Sequence, residues 1–260
     1  ANATDFGDLT TATRDKTPNS NNHGGLQEFQ PRAPELYSPT SEILPRGGGV
    51  GDIGMRGGGA YVNTVDFWQF SSLGNAIDFG NLTSARNCTG FASATRAFGY
   101  QGAGPAPSYT NLNIIDYCEI KTKGNFADFG DATQSGAGSC GLSNSTRGVS
   151  CGLAPGPSDV IEYITMATIG NGTDFGNLTV ARGALLAAGA SPTRGVAGGG
   201  STPSTSRDEI DYITIASTGN ATDFGDLTLA RRYAGQNNSA SSTRMLFGGG
   251  GPSPNSNVIS

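Results

Sequence analysis

Apolar and polar positions alternate in short bursts along this chain, and the bursts recur. Val65-Asp66-Phe67, Ile115-Asp116-Tyr117, Ile161-Glu162-Tyr163 and Ile210-Asp211-Tyr212 each flank an acid with a β-branched residue before it and an aromatic after it. A period of two in β-branched and aromatic residues, bounded by Gly, Pro, Ser and Asn, predicts strands. Behind each burst stands a nine-residue phrase, Asn-Ala-Thr-Asp-Phe-Gly-Asp-Leu-Thr in its fullest form, starting at Asn2, Asn75, Asn125, Asn171 and Asn220. Gly74, Gly124, Gly170 and Gly219 precede four of the copies, and Gly-Asn predicts a tight turn there. Small-residue stretches flank each unit, headed by Arg56, Arg96, Arg147, Arg194 and Arg244. One unit therefore holds about four short strands and no helix.

The five phrases start 73, 50, 46 and 49 residues apart. Self-similarity at 40–50 residues with four strands per unit is the pattern of a β-propeller blade. The long first interval shortens to 41 when the non-repetitive, Pro-rich stretch at about 15–45 is set aside as an insertion. The interval from Asn220 round to Asn2 is 42. The expected fold is thus all-β: one domain spanning 1–260, a five-bladed β-propeller of four-stranded blades. Residues near 2–10 would supply the N-terminal strand that closes the last blade and removes its open edge.

Gly-Gly, an alternating strand with an aromatic, a turn and a short aromatic strand ending in Arg resemble the kelch repeat. Gly198-Gly199, Ile210-Asp211-Tyr212, Gly219-Asn220, Phe224 and Arg231 fill those roles in one copy. Phe stands where kelch blades usually carry Trp. The wording of the phrase, with Ser-Ser-Thr-Arg and Gly-Gly-Gly, is also similar to repeats in structural and tail-fibre-like proteins of aquatic bacteriophages. That resemblance implies a structural role on a virion or outside a cell. It does not fix function, because propellers host binding, structural and enzymatic roles alike.

Composition narrows the field. Glycine supplies 41 of 260 residues and charged residues only 14%, which suits turns and thin core layers. A net charge of −5 with three lysines (Lys16, Lys121, Lys123) argues against a nucleic-acid partner, which needs clustered cations. No run approaches the ~18 apolar residues of a membrane span. His23, the one histidine, falls in the insertion, and no Cys-x-x-Cys occurs, so no metal and no cofactor is expected.

Candidate chemistry is sparse. Asp5, Asp78, Asp128, Asp174 and Asp223 recur in every unit, so the repeat, rather than a unique active site, places them; each is expected to cap turn N–H groups. Arg56, Arg96, Arg147, Arg194 and Arg244 are expected to pair with the acids at 66, 116, 162 and 211. Cys140 and Cys151 lie symmetrically about the Asn144–Arg147 turn, which sets them opposite one another as a candidate disulfide or as two buried free thiols. Asn-x-Ser/Thr sequons, such as those at Asn171 and Asn220, arise readily from this composition. In the insertion, Phe29, Leu36, Tyr37, Ile43 and Leu44 form a candidate docking arm.

No catalytic set emerges. The expected function is a non-enzymatic structural or adhesion subunit of an extracellular or virion assembly, a phage fibre or tail component or an environmental fibril. Its partners would be other copies of itself or other virion or fibril proteins. A propeller lectin binding surface glycans is the alternative, and a propeller glycoside hydrolase, needing a unique pair of acids, the third reading.

Overall fold

The computed structural model describes residues 53–251, apart from 60, 71–72, 185–186, 204, 233–239 and 241–242. Every described element is a strand, and the strands form four antiparallel sheets. The first holds β1 (Ile53–Gly57), β2 (Thr64–Gln69) and β3 (Ile77–Asn81). The second holds β4 (Asn87–Ala92), β5 (Arg96–Ala103), β6 (Asn111–Glu119) and β7 (Ala127–Asp131). The third is β8 (Cys140–Ser143), β9 (Arg147–Cys151), β10 (Ser158–Thr165) and β11 (Thr173–Arg182). The fourth is β12 (Ala187–Ala190), β13 (Arg194–Gly198), β14 (Glu209–Thr214) and β15 (Thr222–Asp226). Each sheet is a meander in chain order. The expected all-β unit of four strands is present three times, with three strands in the first sheet. The strand expected over residues 2–10, the insertion at 15–45 and residues 252–260 lie outside the described residues.

Beyond β15 the chain makes two isolated antiparallel bridges, Arg232 with Gly251 and Ala240 with Met245. Nested antiparallel bridges of this kind make a hairpin, and the Arg232–Gly251 bridge stands about where Gly183 bridges Ser201 beside the fourth sheet.

Local chemistry explains the recurring pieces. At the first turn of a sheet, Ser93 Oγ, Asn144 Oδ1 and Ser191 Oγ accept the backbone N–H of Arg96, Arg147 and Arg194 at 3.0, 2.8 and 3.0 Å. A side chain thus replaces a missing ladder bond and closes the hairpin. The Asp-Phe-Gly of each phrase is a β-bulge. The acid-bearing strand pairs Val65 with Gly80 and Asp66 with Asp78, so Phe79 is the extra residue, and the same slip leaves out Phe129, Phe175 and Phe224. The following glycines, Gly80, Gly130, Gly176 and Gly225, have φ of 150°, 148°, 145° and 132°, a region that glycine enters without steric cost.

The core lies between sheets. Phe79, Leu82, Ala97, Cys118 and Ile120 fill the first interface; Phe91, Phe98, Ile115, Phe129 and Ile164 fill the second; Leu142, Val149, Ile161, Phe175 and Ile213 fill the third. A smaller layer of Ala187, Leu227 and Phe247 joins the fourth sheet to the last hairpin. The first strands are neighbours: β8 packs against β4 on one side and β12 on the other. Glycine and alanine there allow close approach. A Cβ at Gly141 would meet Gly90 O at 2.9 Å; on the neighbouring β13, one at Gly195 would meet Leu142 Cδ1 at 2.7 Å.

Candidate functional site

Each connection between sheets carries a buried polar clasp. In the stretch that leaves β3, Thr83 donates its backbone N–H (3.0 Å) and its hydroxyl (2.6 Å) to the carboxylate of Asp116 on β6. Arg86, three residues on, donates Nη1 to the same carboxylate at 2.8 Å, Nε to Gln101 O at 2.9 Å and Nη2 to Gly99 O at 3.3 Å. Both charged side chains are fully buried. The third interface repeats the device, with Thr179 Oγ1 at 2.6 Å and Arg182 Nη2 at 2.8 Å from Asp211. Burial lowers the affinity of Arg182 for its proton, and Asp211 opposes that effect. Where the fourth sheet meets the last hairpin, Arg231 donates Nη1 to Phe247 O and Gly249 O at 3.4 and 3.2 Å.

The second interface departs from this pattern. Gly136 stands at the arginine position, and Leu153 and Ala154 fill the space beside it. The acid is Glu162 instead of Asp. Thr133 donates its N–H (2.7 Å) and hydroxyl (2.6 Å) to Glu162 Oε2, and Gln101 reaches across from β5 to give Nε2 to Oε1 at 2.8 Å. Gln101 adopts φ of 50° to do so. The Tyr100 hydroxyl faces the same carboxylate without a hydrogen bond of normal geometry. Burial pushes the Glu162 carboxyl above its ordinary value of 4.5, the Thr133 hydrogen bonds pull it back, and Asp174 adds to the rise. Tyr100 is driven well up, first by burial and then by Glu162. This carboxylate is 3% exposed, so it is a sealed joint with no room for a substrate.

The sequence-predicted residues fall into four groups: the repeated acids, the repeated arginines, the cysteine pair and the arm. Asp78, Asp128, Asp174 and Asp223 sit exposed on β3, β7, β11 and β15, one per sheet, and are not brought together. Asp223 accepts the N–H of the bulge glycine Gly225 at 3.0 Å, within its own strand and not at the turn. The arginines are not one set. Arg96, Arg147 and Arg194 each begin the second strand of a sheet, whereas Arg56 lies three positions further along, opposite Asp66. The three equivalent guanidinium groups stack 4.9, 4.4 and 4.6 Å over Tyr117, Tyr163 and Tyr212. Arg96 also pairs with Glu119 and donates to Met166 O in the next sheet, and Arg147 donates to Ile215 O. The partners of the acids at 116 and 211 are Arg86 and Arg182, not the predicted arginines. The acid at 162 has no arginine at the corresponding position. Arg244 is exposed at the last hairpin.

Cys140 and Cys151 are register partners across β8 and β9, as the turn symmetry predicts. Both are buried free thiols. The Cys140 thiol donates to Cys151 O at 3.6 Å, and Cys140 together with burial pushes the Cys151 thiol well up. Among the described residues no group of three His, Cys, Asp or Glu could hold a metal ion. No described helix is long and apolar enough to cross a membrane. Asp5 and the arm residues Phe29, Leu36, Tyr37, Ile43 and Leu44 lie outside the described residues.

The two ends of the described array expose what its middle buries. Phe224 is 55% exposed, against 4%, 1% and 3% for its equivalents Phe79, Phe129 and Phe175. Phe70 is 47% exposed where Ile120, Met166 and Ile215 are buried. A groove of about 540 Å³ runs beside Phe224, bounded by Arg194, Asp226, Met245 and Phe247.

Sequence reasoning missed the arginines that follow the phrase as clasp donors, although Leu-Thr-x-Ala-Arg recurs at Arg86, Arg182 and Arg231. It also missed Gln101, whose role has no repeat to signal it. No protein-family model matches the chain, and none of the curated proteins does either.

Proposed function

We propose that the chain closes into a five-bladed propeller of the kelch-like kind and serves as a non-enzymatic structural or adhesion subunit of an extracellular or virion assembly. One observation carries this reading: the three acids buried between the sheets are committed to holding sheet to sheet. The acid at 116 accepts from Thr83 and Arg86, the acid at 162 from Thr133 and Gln101, and the acid at 211 from Thr179 and Arg182. A scaffold built this way has rigidity to offer, and none of these three buried acids is left open to a substrate. Exposed Phe70, edge-on to Trp68 on the first sheet, and exposed Phe224 on the fourth support a fifth blade between them, since their equivalents are buried at interior joints.

Attachment belongs to the 15–45 insertion in this reading. Phe29, Leu36, Tyr37, Ile43 and Leu44 would bury apolar area on a second copy or on another fibril or virion protein, at ~25 cal/mol per Å². The lectin reading is weaker because the repeated joints are filled by Phe, Leu and Ile, leaving no groove of one composition in each unit. Deleting residues 15–45 is the test. The expected variant keeps its strand signal and thermal stability but no longer joins the assembly; normal assembly by the deletion variant would end the docking proposal.

A further inference from the structure

The outer strands of the first three sheets receive the next phrase in one way. Asn81, Asp131 and Asn177 each donate a backbone N–H to the side-chain oxygen of Asn125, Asn171 and Asn220 at 3.0, 3.0 and 3.1 Å. Their carbonyls accept from the residue that follows the asparagine: Phe126 at 2.8 Å, Gly172 at 2.7 Å and Ala221 at 2.8 Å. Phe129 O and Phe175 O take the N–H of Gly170 and Gly219 at 3.0 and 2.7 Å. The bulge glycine lets the turn come close: a Cβ at Gly130 would stand 2.6 Å from Gly170 O, and Gly80 and Gly176 are held as tightly against Gly124 O and Gly219 O. One asparagine thus latches each sheet to the one before it.

β15 presents the same seat. Phe224, Gly225 and Asp226 stand where Phe175, Gly176 and Asn177 stand on β11. At Gly225 a Cβ would meet nothing within 4 Å, and Phe224 lies open along the 540 Å³ groove. Four of the five phrases fall within the described residues, and three of them occupy seats. The one beginning at Asn2 is identical over nine residues to the one beginning at Asn220, which fits the seat on β11. We propose that residues 2–10 of the same chain fill the seat on β15, with Asn2 as the latch. Its side-chain oxygen accepts the Asp226 N–H, and the Ala3 N–H donates to the Asp226 carbonyl. The inference rests on the five-bladed reading and adds the contact that closes it.

Amide hydrogen exchange on the full chain tests the latch, with Asn177 as the internal standard. In the parent protein the Asp226 amide should exchange as slowly as that of Asn177 and independently of protein concentration. Asn2→Ala should speed Asp226 roughly fivefold or more, the loss of about one hydrogen bond, and leave Asn177 unchanged. Asn2→Asp, which keeps the acceptor, should restore the protection. Fast exchange at Asp226 in the parent overturns the proposal, as does protection indifferent to Asn2→Ala. Protection that grows with concentration assigns the seat to a second copy and overturns it as well. Counting blades in particle images separates the two levels: a five-lobed ring with a fast Asp226 amide sinks the latch alone, and another lobe number sinks the ring.

Discussion

A guanidinium shut away from water has to find its partners inside the protein, and Arg86 finds them on β5 and β6 of one sheet. Removing it leaves Asp116 buried and held only by Thr83, so Arg86→Ala should cost about 3–5 kcal/mol in denaturant unfolding. Arg96→Ala is the control. Its carboxylate partner, Glu119, is 42% exposed, and the pair itself should be worth less than about 1 kcal/mol. Equal losses from the two variants would contradict the clasp. Glu162 supplies a second test, because its carboxyl titrates above the ordinary 4.5. A carboxyl raised on folding binds its proton more tightly in the native state. Its contribution is therefore full below 4.5 and is lost as pH rises through the higher folded value. Relative to Glu162→Gln, the parent should lose stability across that rise. A stability difference independent of pH would show that the carboxyl is not shifted.

At the scale of elements, the phrase acts as a bulge that aims one phenylalanine inward and a glycine that admits the next turn. Gly130→Ala should destabilise by at least ~1–3 kcal/mol, from strained φ alone, before the clash with Gly170 O is added. Gly156→Ala, with open space and ordinary φ, should be nearly neutral. If the two cost the same, the bulge is not the reason for the glycine. Much of this level was legible in the sequence. Alternation at Ile115-Asp116-Tyr117 predicts a strand, Gly-Asn predicts the turn, and the symmetry of Cys140 and Cys151 about Asn144–Arg147 fixes a register that β8 and β9 adopt. The partners of the acids were not legible. Arg96 and Arg86 both sit near small residues in sequence, and only the fold decides which guanidinium reaches Asp116. Arg56 resembles Arg96 by its neighbours, yet its register places it opposite Asp66, three positions along. Gln101 serves a joint whose arginine position is Gly136, and a residue that replaces a repeat element leaves no periodic trace.

For the whole molecule, the core is divided into layers, each made by two successive sheets. Such an array leaves one apolar face at each end unless it closes on itself. Phe224→Ala therefore compares two states: at an interior joint Phe175→Ala should cost ~3–5 kcal/mol, and Phe224→Ala should cost a similar amount only if a fifth blade covers it. The direct measurement is electron microscopy of the purified chain, with class averages viewed down the axis on which β4, β8 and β12 succeed one another. The account predicts a closed ring of five lobes formed by one chain. An open arc of four sheets, or a ring with any other number of lobes, would contradict it.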